Sequence, residues 1–121
     1  MWRSRPKILL VDDEPAALHA LRLLLERRFD IDTAATAEEA KRMAAARDYS
    51  AVLTAHDLPG CTGAWLLTYL AATQPGPRRI LCSDREIPHL AELRTAGIVD
   101  RFLKMPTTPE ELLEALLGAR P

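Results

Sequence analysis

The sequence predicts an α/β fold, a doubly wound (βα)5 arrangement in which a parallel five-stranded sheet is covered on both faces by helices. Three observations carry that reading. Short apolar runs alternate with helical patterns along the whole chain. The first run, Lys7-Ile8-Leu9-Leu10-Val11, is continuously apolar after its lysine, as a strand buried on both faces requires. Each strand is followed by enough chain to form a helical crossover, and parallel neighbours need such crossovers.

The elements follow in order. The first strand ends in Asp12-Asp13-Glu14-Pro15, and Pro15 then opens a helix whose apolar residues fall at 17, 18, 21, 24, 25 and 29. Ile31 to Ala34 is a short second strand. Thr36-Ala37-Glu38-Glu39 is a capping box that opens a helix to about Arg47. Ala51 to Thr54 forms the third strand, and Gly63 to about Thr73 the third helix, which Gln74-Pro75-Gly76-Pro77 ends. Arg79 to Cys82 is the fourth strand, followed by a helix around Pro88 to Ala96 that stops at Gly97. Val99 to Lys104 is the fifth strand. Thr108-Pro109-Glu110-Glu111 supplies an N-cap, a proline at the first helical position and a capping-box glutamate for a last helix to about Leu117.

With 121 residues and neither a repeat nor a low-complexity tract, the chain is expected to be one domain, 1–121, with its core at about 7–117. It is 48% hydrophobic and 27% charged with a net charge of −1, so no basic excess supports direct nucleic-acid binding. Cys61 and Cys82 lack metal-site spacing and read as two reduced thiols. The apolar run Ile8 to Val11 is too short for a signal peptide or a membrane span, so no membrane association and a cytoplasmic location are expected.

In such sheets a ligand site forms beyond the carboxyl ends of the strands, at the topological switch point. Asp12 and Asp13, Ala55 to Asp57, Ser83 and Asp84, and Lys104 and Met105 fall there. Adjacent acids leaving a buried strand repel each other, and burial worsens the repulsion. A hard cation such as Mg²⁺ would relieve it. Capping of the helix that starts near Pro15 is the alternative role for the pair, and the residues alone leave both readings open.

ILLVDDEP at 8–15, LPGCTG at 58–63, ILCS at 80–83 and RFLKMP at 101–106 are, in their order and spacing, similar to the landmarks of response-regulator receiver domains. The chain resembles that CheY-like family from about Lys7 to Leu117. The resemblance implies a flavodoxin-like sheet with strand order 2-1-3-4-5. It also implies a two-component phosphorylation switch: an aspartate at the end of the third strand takes a phosphoryl group from a histidine kinase. Mg²⁺ is then held by the acidic pair, by that aspartate and by a backbone carbonyl two residues later. A Ser or Thr on the fourth strand and a Lys on the fifth bind the phosphoryl oxygens, so that metal and lysine stabilise charge on the transferring group.

This chain departs from the pattern at two positions. The family's Asp-x-x-Met-Pro-Gly, laid on Leu58-Pro59-Gly60, puts Ala55 at the phosphoacceptor position, and a methyl group cannot attack phosphorus. Phe/Tyr-Leu-x-Lys-Pro, laid on Phe102 to Pro106, puts Met105 where the lysine belongs; counting from Gly97 instead selects Lys104. Neighbouring strand residues point to opposite sides, which favours Met105. Losing one carboxylate together with one ammonium leaves the formal charge of the pocket unchanged. Asp12 and Asp13 as residual metal ligands, and Ser83 and Phe102 as switch residues, are retained, and Mg²⁺ is an allowed but not a required cofactor.

The expected function is therefore a receiver module that is not an enzyme, works without phosphorylation and acts through protein contacts with a histidine kinase or a signalling effector. The alternative is a phosphorylatable receiver using Asp57 as a displaced acceptor with Mg²⁺, although in-line transfer tolerates little displacement. Against that alternative stands a solvated loop acid at Asp57. His56 invites a transition-metal site with Asp12 and Asp57, weighed against a surface or supporting histidine. Trp65 and Tyr69 read as core or half-buried packing residues. A homodimer through the fourth helix, fifth strand and fifth helix would use the mixed charges of His89, Glu92, Arg94, Asp100, Arg101 and Lys104.

Overall fold

Strands buried on both faces dictate the architecture of this protein, of which the computed structural model describes residues 5–118. The ends of the expected domain 1–121 lie outside the described residues. The elements are β1 (Lys7–Val11), α1 (Pro15–Leu25), β2 (Asp30–Ala34), α2 (Ala37–Ala46), β3 (Ala51–Ala55), β4 (Asp57–Leu58), β5 (Cys61–Thr62), α3 (Gly63–Thr73), β6 (Arg78–Ser83), α4 (Leu90–Thr95), β7 (Arg101–Lys104) and α5 (Pro109–Leu117). The main sheet is parallel in the order β2-β1-β3-β6-β7, which is 2-1-3-4-5 counted over its own strands.

Alternation along each strand sorts its side chains into two cores. Ile8, Leu10, Leu53, Ile80 and Cys82 pack against α1 and α5 through Leu25, Leu112 and Ala115. Leu9, Val11, Val52 and Leu81 pack against α2 and α3 through Ala40, Ala44, Leu66 and Leu70, with Leu90 and Leu93 of α4 at the edge. Every helix thus finds an apolar sheet face, and every strand end opens at the same edge of the sheet.

The caps work largely as the sequence predicts. Thr36, Thr62 and Thr108 each accept the backbone N–H three residues on, from Glu39, Trp65 and Glu111. Glu39 reaches back to the N–H of Ala35 instead of its own cap residue. Gly97, at φ 76°, takes the left-handed conformation that ends α4.

Several expectations need correction. Leu24 lies at a helical position of the apolar series, yet it is 55% exposed, because α1 rests on the sheet through Leu18, Leu21 and Leu25. Of the two roles read for Trp65 and Tyr69, the core one fails and the half-buried one holds: they are 48% and 37% exposed, and their rings stack at 5.8 Å on α3 beneath the Lys41 ammonium. The loop after β3 contains the two-stranded hairpin β4–β5, turned at Pro59-Gly60, which periodicity over two-residue strands could not reveal. Strand β7 begins at Arg101, not at Val99. Asp100 is buried, not part of a solvated charged face, and its carboxylate accepts the backbone N–H of Arg79.

Arg79 explains that last difference. Its buried guanidinium donates to the carbonyls of Pro75, Pro77, Gly97 and Ile98, tying the entries of β6 and β7 together. Arg79→Ala would leave these carbonyls short of donors and is expected to cost about 2–4 kcal/mol of stability in urea denaturation.

Candidate functional site

The carboxyl ends of β1, β3 and β6 and the segment after β7 converge on one cavity of about 820 Å³. Local backbone chemistry brings each side chain there. Where β1 ends, the N–H of Asp12 donates to the Ala34 carbonyl at 3.1 Å, and its carboxylate accepts the Glu14 N–H at 3.0 Å. That bond turns the chain into Pro15 at the start of α1. The N-cap residue is Glu14, which makes no side-chain cap bond, so the capping alternative for the acidic pair is met only in part.

Ala55 is the last residue of β3 and pairs with Cys82 of β6. The start of α3 presses against this strand end: the Gly63 N–H donates to the His56 carbonyl at 2.6 Å. A Cβ on Gly63 would collide with the Ala55 carbonyl oxygen and reach 2.9 Å from Leu81 Cδ1, so glycine is needed for the close approach. Beyond β7, the N–H of Met105 donates to the Ser83 carbonyl at 2.8 Å and carries Met105 into the cavity wall.

The lining divides by polarity. Asp12, Asp13, Glu14, Asp57 and Asp84 supply carboxylates, and among the described residues no lysine or arginine lines the cavity. Leu21, Leu53, Ala55, Met105 and Leu112 supply apolar surface. Burial raises the carboxyl pKa of Asp12, opposed by its bond from Glu14 and reinforced by the charges of Asp13 and Glu14. Burial pushes the Cys82 thiol up to about 12, with a further contribution from Asp12, so it stays protonated. His56 is only 8% exposed, and burial lowers its pKa. It is therefore not a surface histidine. The transition-metal reading also fails, because the described residues hold no group of three His, Cys, Asp or Glu able to hold a metal ion.

Of the residues picked out in the sequence, Asp12, Asp13, Ala55, Asp57, Ser83 and Met105 border this one cavity. Lys104 is exposed and lies outside the lining, whereas Phe102 packs partly buried against the core on the α2 and α3 side. Asp57 has a 65% exposed side chain paired with Arg85. That partner is 28 residues away in sequence, and no local pattern announces it. Leu21 and Leu24 of α1 and Thr107 before α5 were also missed as lining residues, since helical spacing assigns leucines to a core and not to a cavity wall.

The Mg²⁺ site that the family resemblance implies needs several donor side chains together; the described residues hold no group of three His, Cys, Asp or Glu that could hold a metal ion, and Ala55 at the end of β3 adds no donor. The donor set does not fit such a site.

A family model described as the response regulator receiver domain matches residues 8–117. The hydrogenase transcriptional regulatory protein HoxA of Cupriavidus necator is 32% identical over 98% of this chain, which spans 25% of the length of HoxA. The signal receiver domain of an HD domain-containing protein from Pseudomonas fluorescens Pf-5 superposes with a TM-score of 0.86 at 32% identity, covering 96% of this chain and 87% of that one. The response regulator TrrA of Thermotoga maritima, solved in complex with Mg²⁺ and BeF, gives a TM-score of 0.79 at 26% identity, covering 93% of this chain and 99% of that one.

Two outcomes follow from the site geometry. Gly63→Ala is expected to destabilise the fold by about 1–3 kcal/mol in urea denaturation, because the clash is with backbone that cannot move aside. The raised pKa of Asp12 means that the folded state binds its proton more tightly than the unfolded state, whose pKa is near 3.8. Stability therefore falls as pH rises from that value through the folded pKa, and the penalty is complete above it. Asp12→Asn is expected to raise the thermal midpoint at neutral pH, with the gain fading as the pH is lowered through the folded pKa and gone below 3.8.

Proposed function

This chain belongs to the response-regulator receiver domain family, and from that premise we propose that it is a phosphorylation-independent receiver module acting through protein–protein contacts, without catalysis of its own. The observation that carries this reading is Ala55 at the end of β3, where the family's nucleophilic carboxylate belongs. A methyl side chain there has no lone pair to offer a phosphoryl donor. Met105 on the cavity wall supports the same reading, since a thioether cannot neutralise phosphoryl oxygens as an ammonium does. The two changes are electrostatically paired: without the lysine, a third carboxylate beside Asp12 and Asp13 would be uncompensated. Mg²⁺ is not required for this role.

The partner is a histidine kinase or a signalling effector, met through surface rather than through chemistry. The face formed by α4, β7 and α5 offers Arg101 paired with Glu114 at 2.6 Å, His89 near Glu92 at 4.0 Å and the exposed Lys104. Such exposed pairs contribute little to folding and are available for reciprocal pairing in a homodimer. Direct nucleic-acid contact has no basic surplus to support it. Among the described residues no helix is long and apolar enough to cross a membrane.

Asp57 as a displaced acceptor is the competing reading, favoured by its place on the same cavity as Asp12 and Asp13. Its pairing with Arg85 on the exposed side weighs against it. Intact mass after incubation with acetyl phosphate and Mg²⁺, in a buffer that preserves acyl phosphates, separates the two. No phosphoryl adduct is expected, while Ala55→Asp supplies the missing nucleophile for comparison. A stoichiometric adduct on the unsubstituted chain that disappears in Asp57→Ala would overturn the proposal.

A further inference from the structure

The cavity has features that the module reading does not use. Its volume of about 820 Å³ lies in the range of sites for small organic ligands, roughly 300–1,000 Å³. It is also strongly two-sided. Asp12, Asp13 and Glu14 line it at the end of β1 with no lysine or arginine among the described lining residues, while Leu21, Leu53, Met105 and Leu112 give it an apolar body. Leu24, an exposed leucine with no place in either core, lines it as well. Two buried polar atoms of lining residues, His56 Nδ1 and Thr107 Oγ1, have no hydrogen-bond partner among the described residues.

We infer that this cavity is a binding site for a free small organic cation with an apolar body, such as a hydrophobic primary amine, whose ammonium meets Asp12 and Asp13 and whose body lies among Leu21, Leu53 and Met105. The inference rests on the preceding reading in one respect: Ala55 and Met105 leave apolar surface where a phosphoryl group and a lysine would otherwise sit.

Charge complementarity selects the occupant. An anion is repelled by the carboxylates, and a neutral apolar molecule leaves them unpaired. A bare metal ion uses the acids but not the apolar walls. A single lysine side chain inserted by a partner protein fills only part of the volume. An amphipathic amine satisfies both halves, because a charge-assisted hydrogen bond at a partly desolvated carboxylate is stronger than one in water. The thioether of Met105 is unbranched and polarisable, which suits an apolar body of irregular shape. The ammonium also offsets the repulsion that the exposed Asp13 and Glu14 exert on the partly buried Asp12.

The test is an amide and methionine-methyl NMR titration of the full chain with phenylbutylamine, alongside phenylbutanoate and phenylbutanol of matching shape. The amine is expected to give saturable shifts centred on Asp13, Ala55 and the Met105 methyl, and the anion none. Met105→Lys places a tethered ammonium in the site and is expected to abolish binding. Asp13→Asn, at an exposed position that tolerates substitution, is expected to weaken binding about tenfold. Equal binding of amine and anion, no saturable shift with the amine, or unchanged affinity in Asp13→Asn would each overturn the inference.

Intact mass after acetyl phosphate treatment is read separately. Absent amine binding without a phosphoryl adduct overturns this site and leaves the module reading standing. A phosphoryl adduct with amine binding intact overturns the module reading and leaves the site.

Discussion

The rest of the structure depends on burying β1, β3 and β6 on both faces. Ile8 to Val11 and Ile80 to Leu81 are almost wholly removed from water, and that burial supplies the main driving force for folding. Parallel strands buried in this way must be joined by crossovers that return to the opposite edge, so all of their carboxyl ends open on the same side. Within these strands the carboxylates are absent, and the few buried polar residues, such as Thr54 and Arg79, sit among apolar neighbours. Polar groups collect where the strands end, and Asp12, Asp57 and Ser83 become neighbours although the sequence keeps them far apart.

The electrostatics of that edge follow from what is missing as much as from what is present. Asp12, Asp13 and Glu14 lie at the end of β1, and Asp57 and Asp84 add two further carboxylates to the lining. Ala55 and Met105 contribute a methyl group and a thioether to the same lining. They give the cavity apolar surface beside Asp12 and Asp13. Burial, and after it the charges of Asp13 and Glu14, raises the pKa of Asp12, and the surrounding fold tolerates that cost.

Close approach is the second structural requirement of the site. The Gly63 N–H meets the His56 carbonyl, and the missing Cβ lets α3 sit directly against the end of β3. The hairpin β4–β5 occupies the short span between them and turns Asp57 outward towards Arg85. Asp57 thereby lines the cavity it shares with Asp12 and Asp13 while its carboxylate pairs with Arg85.

Local signals were sufficient for most of the fold. Continuous apolar runs, capping threonines and the Pro15 and Pro109 helix starts depend on neighbours a few residues away, so they are readable from sequence, and the positions of Ala55 and Met105 follow from counting along motifs. What the tertiary structure alone decided depends on residues far apart in the chain. Arg79 had to meet carbonyls from two different turns before Asp100 was buried, and Asp57 had to find Arg85 across 28 residues. Leu24 had to miss the sheet to become the wall of a cavity. Periodicity states that a side chain is apolar and which helical face it shares, but the packing angle of the helix determines whether that face meets a core, a cavity or water.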